Sequence, residues 1–306
     1  MAAVSTNFAD LLDPRFEKIF NESKDREQVK DMIPMFFGSP VDNGRADVRM
    51  SSVGAFGDFS QFSGSVDYDD VSQGYDVTGT HIEFTSGFQV ERKLFDDDQY
   101  NIMDKRPAGL AQAATRTRQK HAARLFNNAF SVDTFFQSHS EGVALCTNSH
   151  TTTASGVDTS DGFDNLLTSA LSATQLATAR IQFVNFRDDR GNFFNSVPDT
   201  IVIPPDLYDT AYEIVKSRGK PDTAENNANV HEGAYQVKEW IYLTDSNNWF
   251  LTDSSAQKQH ASWVDRIPLE FAMAEDIDTM VAKWRAYMRY MWMWDQWRFI
   301  LGSQVS

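Results

Sequence analysis

Lys105–Phe130, KRPAGLAQAATRTRQKHAARLFNNAF, is the stretch on which the reading of this chain turns. Successive residues placed 100° apart gather Leu110, Ala111, Ala114, Ala122, Leu125, Phe126 and Ala129 on one side. Lys105, Arg106, Arg116, Lys120 and Arg124 gather on another. Pro107 suits a first turn, and the acidic run Asp96–Asp98 suits the approach to a helix N-terminus better than it suits a metal site. The spacing predicts a long amphipathic helix. Arg116, Lys120 and Arg124 stand i, i+4, i+8 in a single row, and like charges so placed cost about 0.2–0.5 kcal/mol per pair. Such a row is either a solvated face or the seat of an anionic partner, nucleic acid or an acidic protein surface.

The helix is basic in an acidic protein. A formal net charge of −15 over 306 residues speaks against a protein that coats DNA by its overall charge. It also makes copies of the chain repel one another, so any assembly must rest on shape complementarity. The one cysteine, Cys146, excludes an intrachain disulfide. Neither a signal peptide nor an apolar run of membrane-spanning length is present, so the expectation is a soluble, cytoplasmically made chain with no membrane partner. The 23 Phe and 7 Trp favour large buried surfaces, within a core or between subunits.

Upstream of the helix, Gly44–Arg92 is rich in glycine, with β-branched and aromatic residues alternating with polar ones. Val66-Asp67-Tyr68 and Tyr75-Asp76-Val77 frame a turn-like Asp69–Gly74, and Ile82, Phe84, Phe88 and Val90 continue a strand pattern. The expectation is a long β-hairpin too thin for a core of its own, which needs another surface to lie on. Residues 1–44 read as an extended arm whose aromatics dock elsewhere. Phe8, Leu11, Leu12, Phe16, Ile19 and Phe20 fall at helical spacing, with Asp13-Pro14 as cap and first turn, and Ile33–Phe37 follows a polar run.

Downstream, residues 137–159 read as loop. His139, Cys146 and His150 lie close together there, but their spacing matches no zinc pattern, and Cys-His nucleophilic chemistry lacks an orienting group. Phe163–Leu171 and Leu176–Ile181 read as helices, Asp199–Pro205 as a buried strand, and Leu207–Val215 as the helix after it. Gly219–His231 reads as a polar loop; Trp240–Leu243 and Asn248–Leu251 read as strands around a turn at Asp245–Asn247. Trp284, Ala286, Met288, Tyr290, Trp292 and Trp294 recur at period two, which predicts a strand whose aromatic row is core or subunit contact. No phosphate-cradling glycine motif occurs. The expectation is a protein without cofactor, metal or catalytic set.

RTRQKHAARLFNNAF, PDTIVIPPDLYDTAYEIV, NVHEGAYQVKEWIYLTDSNNWF, RIPLEFAMAEDIDTMVAKWRAYMRY and DQWRFILG, in that order, resemble the major capsid proteins of tailed bacteriophages with the Hong Kong 97-type fold. The resemblance spans essentially the whole chain and implies an α+β fold. Its segments are an N-terminal arm (1–44), an E-loop hairpin (45–93), a P-domain with a spine helix (94–137), an A-domain (138–269) and returning P-domain strands (270–306). It implies a non-enzymatic head protein that assembles into hexamers and pentamers around double-stranded DNA, with portal, scaffold and cement or decoration proteins as partners, in a virion built in the bacterial host cytoplasm. The Arg116, Lys120, Arg124 row then becomes either a DNA contact or the seat for Asp67, Asp69 and Asp70 of a neighbour's E-loop. The founding member crosslinks an E-loop lysine to a neighbour's asparagine; here no lysine lies between Lys30 and Lys93, which implies a non-crosslinked shell. No coiled-coil-like leader precedes the arm, so a separate scaffold is expected. An encapsulin-like nanocompartment shares the same order of elements. From a different class, a carbohydrate hydrolase would draw its paired carboxylates from Glu270, Glu275 and Asp276, beside the Trp row.

Overall fold

The computed structural model describes residues 8–28, 30–40, 44–59, 61–62, 64–66, 68, 73–91, 102–219, 228–276 and 281–305. The first half holds α1 (Phe8–Gln28), α2 (Ile33–Phe36), β1 (Asp47–Val53), β2 (Gln73–Thr80), β3 (Ile82–Glu91), α3 (Lys105–Asn127) and β4 (Gln137–His139). Then come β5 (Leu166–Leu167), α4 (Ala173–Val184), β6 (Thr200–Ile203), α5 (Tyr208–Lys216) and β7 (Gln236–Glu239). The chain closes with β8 (Trp249–Thr252), α6 (Ser254–His260), β9 (Ala261–Asp276), β10 (Val281–Trp294) and β11 (Ile300–Ser303).

The helix expected from Lys105 forms as α3, and its Leu110, Ala111, Ala114, Ala122, Leu125 and Phe126 side is buried. What it packs on is an antiparallel sheet of order β3-β10-β9. β10 is the strand expected from the period-two row: Trp284, Ala286, Met288, Tyr290, Trp292 and Trp294 are all buried. Leu110 and Ala111 of α3 meet Ala286 there, together with Phe20. Phe16 joins Trp284 and Val90, its ring 5.1 Å from the Trp284 ring. Nearer its C-terminal end β10 is buried on both faces, because β2 crosses behind it. Gly79 permits that crossing, since a Cβ at this position would collide with the Met291 sulfur.

A second, five-stranded sheet has the order β5-β11-β8-β6-β7. Every residue of β6 and β8 is buried, as a central strand requires. The parallel pair β6–β7 is joined through α5. β11, from the chain's C-terminus, lies between β5 and β8. The last strand therefore belongs to this sheet and not with β9 and β10, and a division at 269/270 falls inside β9. A small third sheet, β1-β2-β4, forms the root of the hairpin region.

Several sequence expectations are corrected. The arm is not extended with exposed aromatics: α1 runs through Pro14, and Phe16, Phe20, Ile33, Phe36 and Phe37 are buried in the same chain. Proline removes one helical hydrogen bond, and packing of the following turns outweighs that loss. Phe36 stacks on Trp240 at 5.2 Å, while Phe37 meets Trp263 at 5.7 Å. These two rings join the two large sheets. The hairpin arms are β1 and β2, paired from Asp47↔Thr80 to Val53↔Gln73, so Val66 and Tyr68 lie in the connection and not in a strand. β3 leaves the hairpin altogether to pair with β10.

Leu166–Leu167 is a strand rather than part of a helix. Buried Asn165 donates to the Leu145 and Ile300 carbonyls at 2.8 and 3.0 Å and accepts from the Thr147 N–H, tying it to two other segments of backbone. A short apolar run cannot reveal that by periodicity. Trp240–Leu243 is a turn: the Trp240 N–H closes the ladder on the Ile203 carbonyl at 3.0 Å, and the strand expected there is β7, just upstream.

Because α1 docks within its own chain, Phe16→Ala and Phe20→Ala are each expected to lower the stability of the unassembled protein by about 3–5 kcal/mol. Urea unfolding of the monomer measures this. Unchanged midpoints would mean that the arm leaves its own subunit.

Candidate subunit-contact surface

The basic row of α3 is divided by its surroundings. Arg124 is engaged internally: Nε and Nη2 donate to the Asp133 carboxylate at 2.6 and 2.9 Å, and its guanidinium lies over the Phe135 ring. Burial would raise the Asp133 carboxyl, but the Arg124 and Asn128 hydrogen bonds outweigh it and hold the group below the ordinary carboxylate range. Arg116 and Lys120 are exposed and form no ion pair among the described residues. Arg116 lines a cavity of about 480 Å³ that α3 shares with Glu27, Lys30 and the Glu239–Tyr242 turn. The three therefore do not act as one row: two face outward and one braces the α3 C-terminus. Asp67, Asp69 and Asp70 lie outside the described residues.

The helical wheel gave no prominence to Arg118 and His121, which hold α3 to the sheet. Arg118 forms a two-pronged ion pair with Asp265 at 2.6 and 2.9 Å and lies over the Trp263 and Tyr290 rings. Both Arg118 and Asp265 sit at the helix–sheet seam, where bidentate geometry gives orientation as well as energy. His121 Nδ1 lies 2.7 Å from the Tyr290 hydroxyl, and its ring packs on Phe84 at 4.7 Å. Burial first, and Arg124 second, depress His121 to about 4. Burial raises the Tyr290 hydroxyl above its ordinary value, so a protonated phenol and a neutral imidazole share this hydrogen bond.

Among the described residues the hairpin region presents the largest exposed apolar set. Val53, Phe56, Phe59, Phe62, Val66 and Tyr68 project into solvent, with Phe59 101% exposed. Its root is fastened. The Ala55 N–H donates to both Asp189 carboxylate oxygens at 2.9 and 3.1 Å. Thr153 donates to the Gln73 carbonyl, and Asp76 and Ser140 exchange hydrogen bonds. Behind Asp189, burial lowers Arg298 to about 10, and its guanidinium donates to the Arg187 carbonyl. The hairpin region thus combines an anchored root with an exposed apolar distal segment.

Other candidates resolve into structure. His150 is engaged by Glu141 at 3.0 Å and by the Leu145 carbonyl, His139 stacks on Trp294, and burial raises the Cys146 thiol far above its ordinary range. Among the described residues no cluster of His, Cys, Asp or Glu could hold a metal. Glu270 and Asp276 stand six residues apart on extended β9, about 20 Å, too far for the paired carboxylates of glycoside hydrolysis. Asp276 is engaged by Lys283 at 3.4 Å, and the Glu275 side chain lies outside the described residues.

Two outcomes follow from this geometry. The unfolded chain protonates His121 near its ordinary 6.5, whereas the folded chain does so only near 4. Stability is therefore lost as pH falls from 6.5 toward 4. His121→Gln should flatten that part of the profile in thermal melts, and an unchanged slope would exclude His121 as its source. Arg124→Ala should destabilise the chain by about 1.5–3 kcal/mol. Lys120→Ala should stay within about 0.5 kcal/mol, and equal losses in urea unfolding would contradict the division of the row.

The family model described as "Phage capsid protein" matches residues 76–302, well over half of the chain. No curated protein matches by sequence. The capsid structure of the cyanophage P-SCSP1u is similar, with a TM-score of 0.61 at 10% identity over 89% of this chain and 87% of that one. A Mycobacterium phage Patience structure gives 0.60 at 8% identity over 96% and 88%. The SrpI encapsulin of Synechococcus elongatus gives 0.52 at 12% identity over 89% and 86%. At these identities the structures establish the fold alone. The chain therefore belongs to the phage capsid protein family and has the Hong Kong 97-type fold.

Proposed function

We propose that this chain is the repeating shell subunit of a tailed phage head, arranged as hexamers with pentamers at vertices around double-stranded DNA. In that reading residues 1–44 form the arm, the hairpin region the E-loop, α3 with β9 and β10 the P-domain, and the five-stranded sheet the A-domain. Portal, scaffold and cement or decoration proteins are its partners, its place is the virion, and its role is structural and not enzymatic. Cohesion is non-covalent, since the hairpin region carries no lysine nucleophile.

The supporting observation is the distal hairpin segment. Its aromatics are exposed, with no surface of their own chain covering them among the described residues. Burying each against a neighbour contributes about 1.5–3 kcal/mol, enough over several contacts to offset repulsion between subunits of charge −15. Removing all of Gly44–Arg92 would also delete β3 from the β10 sheet, so it would test folding. Excision of residues 56–68 with a short Gly-Ser bridge keeps β1, β2, β3 and the Asp189 anchor. That variant should fold, by circular dichroism, yet give no shells by electron microscopy; intact shells would refute the proposal.

Arg116 and Lys120 are assigned first to a neighbour's acidic hairpin residues, Asp67, Asp69 and Asp70, and second to DNA. Charge reversal at both should then block assembly before packaging. Well-formed empty shells would favour DNA instead, and wild-type behaviour would return both residues to a solvated face. A second reading, a cargo-enclosing nanocompartment, is favoured by the encapsulin similarity alone. Purified particles containing protein cargo and no nucleic acid would support it.

A further inference from the structure

Two unlike exposed surfaces lie on the half of the molecule built on the five-stranded sheet. One is a groove of about 530 Å³ between α4 and the turn that precedes β7. Ala177, Ile181 and Val230 give it apolar walls, with Arg180 among them. Ile181 and Val230 are 64% and 87% exposed. His231 and Tyr235 also line it, and His231 Nε2 is engaged by the Ala173 carbonyl at 3.1 Å. Arg180 is exposed and has no ion pair among the described residues.

The other surface is the outer face of α5. Tyr208 and Tyr212, one turn apart, stack with ring centroids 6.0 Å apart, and both are exposed. Exposed Asp206, Asp209 and Glu213 run beside them with no cationic partner among the described residues. Gly233 donates to the Val215 carbonyl at 2.8 Å, which ties the groove wall to the far end of α5. Tyr212 stands about 4.5 Å and Tyr208 about 10 Å along the helix axis from that tie, and Tyr208, Tyr212, Ile181 and Val230 are all exposed, so one chain presents both surfaces without covering either.

An apolar groove with an unpaired guanidinium and a projecting tyrosine pair with unpaired carboxylates are complementary in shape class and in charge. Tyrosine and arginine are also the side chains that most often dominate protein interfaces. Because the surfaces differ, joining them between copies is head-to-tail, the arrangement that closes rings. We propose that the α5 face of one copy seats in the α4 groove of the next. Tyr212 enters the groove, and Arg180 pairs with Asp209 and Glu213. The proposal rests on the shell-subunit reading and names the contact that closes its rings.

The test is a charge swap in the full chain. Arg180→Glu alone and Asp209→Arg with Glu213→Arg should each lower particle yield about tenfold or more, since like charges then face one another across the interface. The triple variant should restore particles. All three positions are exposed, so melting temperatures should not move. Tyr212→Ala, which removes the anchor without changing charge, should also lower the yield, and it covers the case in which a charge variant misfolds. Wild-type yields from Arg180→Glu or Tyr212→Ala, or no rescue in a folded triple variant, would overturn this contact while leaving the shell reading intact. A wild-type chain that forms no particles even with its scaffold supplied would remove both.

Discussion

The aromatic row of β10 is the constraint on which the rest of the molecule depends. Trp284, Tyr290, Trp292 and Trp294 stand on one face of a single strand, and no one element is wide enough to cover them. α1 supplies Phe16 against Trp284, α3 supplies His121 against Tyr290, and α2 is followed by Phe37, which meets Trp263 and Trp292. β3 and β9 complete the sheet on either side. Segments far apart in the chain are thus gathered on one strand because only together do they exclude water from it. The same gathering fixes the direction of the spine helix and the place where the hairpin emerges.

Charge is sorted by this packing. The chain is strongly acidic, yet Arg118, Arg124 and Arg298 are drawn inward, where they meet Asp265, Asp133 and a backbone carbonyl respectively. Bringing a guanidinium into the protein is tolerable only with such partners. Arg116, Lys120 and Arg180 remain outside and unpaired among the described residues. In a protein whose copies repel at long range, exposed unpaired cations, Arg180 beside an apolar groove among them, are places where attraction can be local and oriented. Assembly then depends on alignment and not on bulk charge, which suits a shell built from one repeating chain.

Much of the architecture was legible from spacing. α3, α5 and β10 each carry a periodic apolar pattern long enough to identify, because one face of each meets a continuous core, and β6 shows as an unbroken apolar run because it is buried on both faces. The misread elements lack such a pattern for physical reasons. Leu166–Leu167 is extended because Asn165 binds three backbone groups from distant segments. Trp240 turns away because its ring stacks on Phe36. The aromatics of the first forty residues looked homeless because the surface that receives them is assembled from α3, β9 and β10. For the contact surface, the sequence marked Arg116, Lys120 and Arg124 as equivalent; an aspartate nine residues beyond Arg124 made them unequal.

What the sequence determined by itself was the set of locally encoded faces: an amphipathic spine, a strand with an aromatic row on one face, and a glycine-rich segment with more apolar surface than it could bury. These follow from the 3.6- and 2-residue periods of the backbone, which any reader of the chain can project. Only the tertiary structure decided that β3 leaves the hairpin for β10 and that β11 enters the five-stranded sheet. It alone decided which cations point inward. Those outcomes depend on which distant surfaces meet, and pairing between remote segments leaves no period in the sequence.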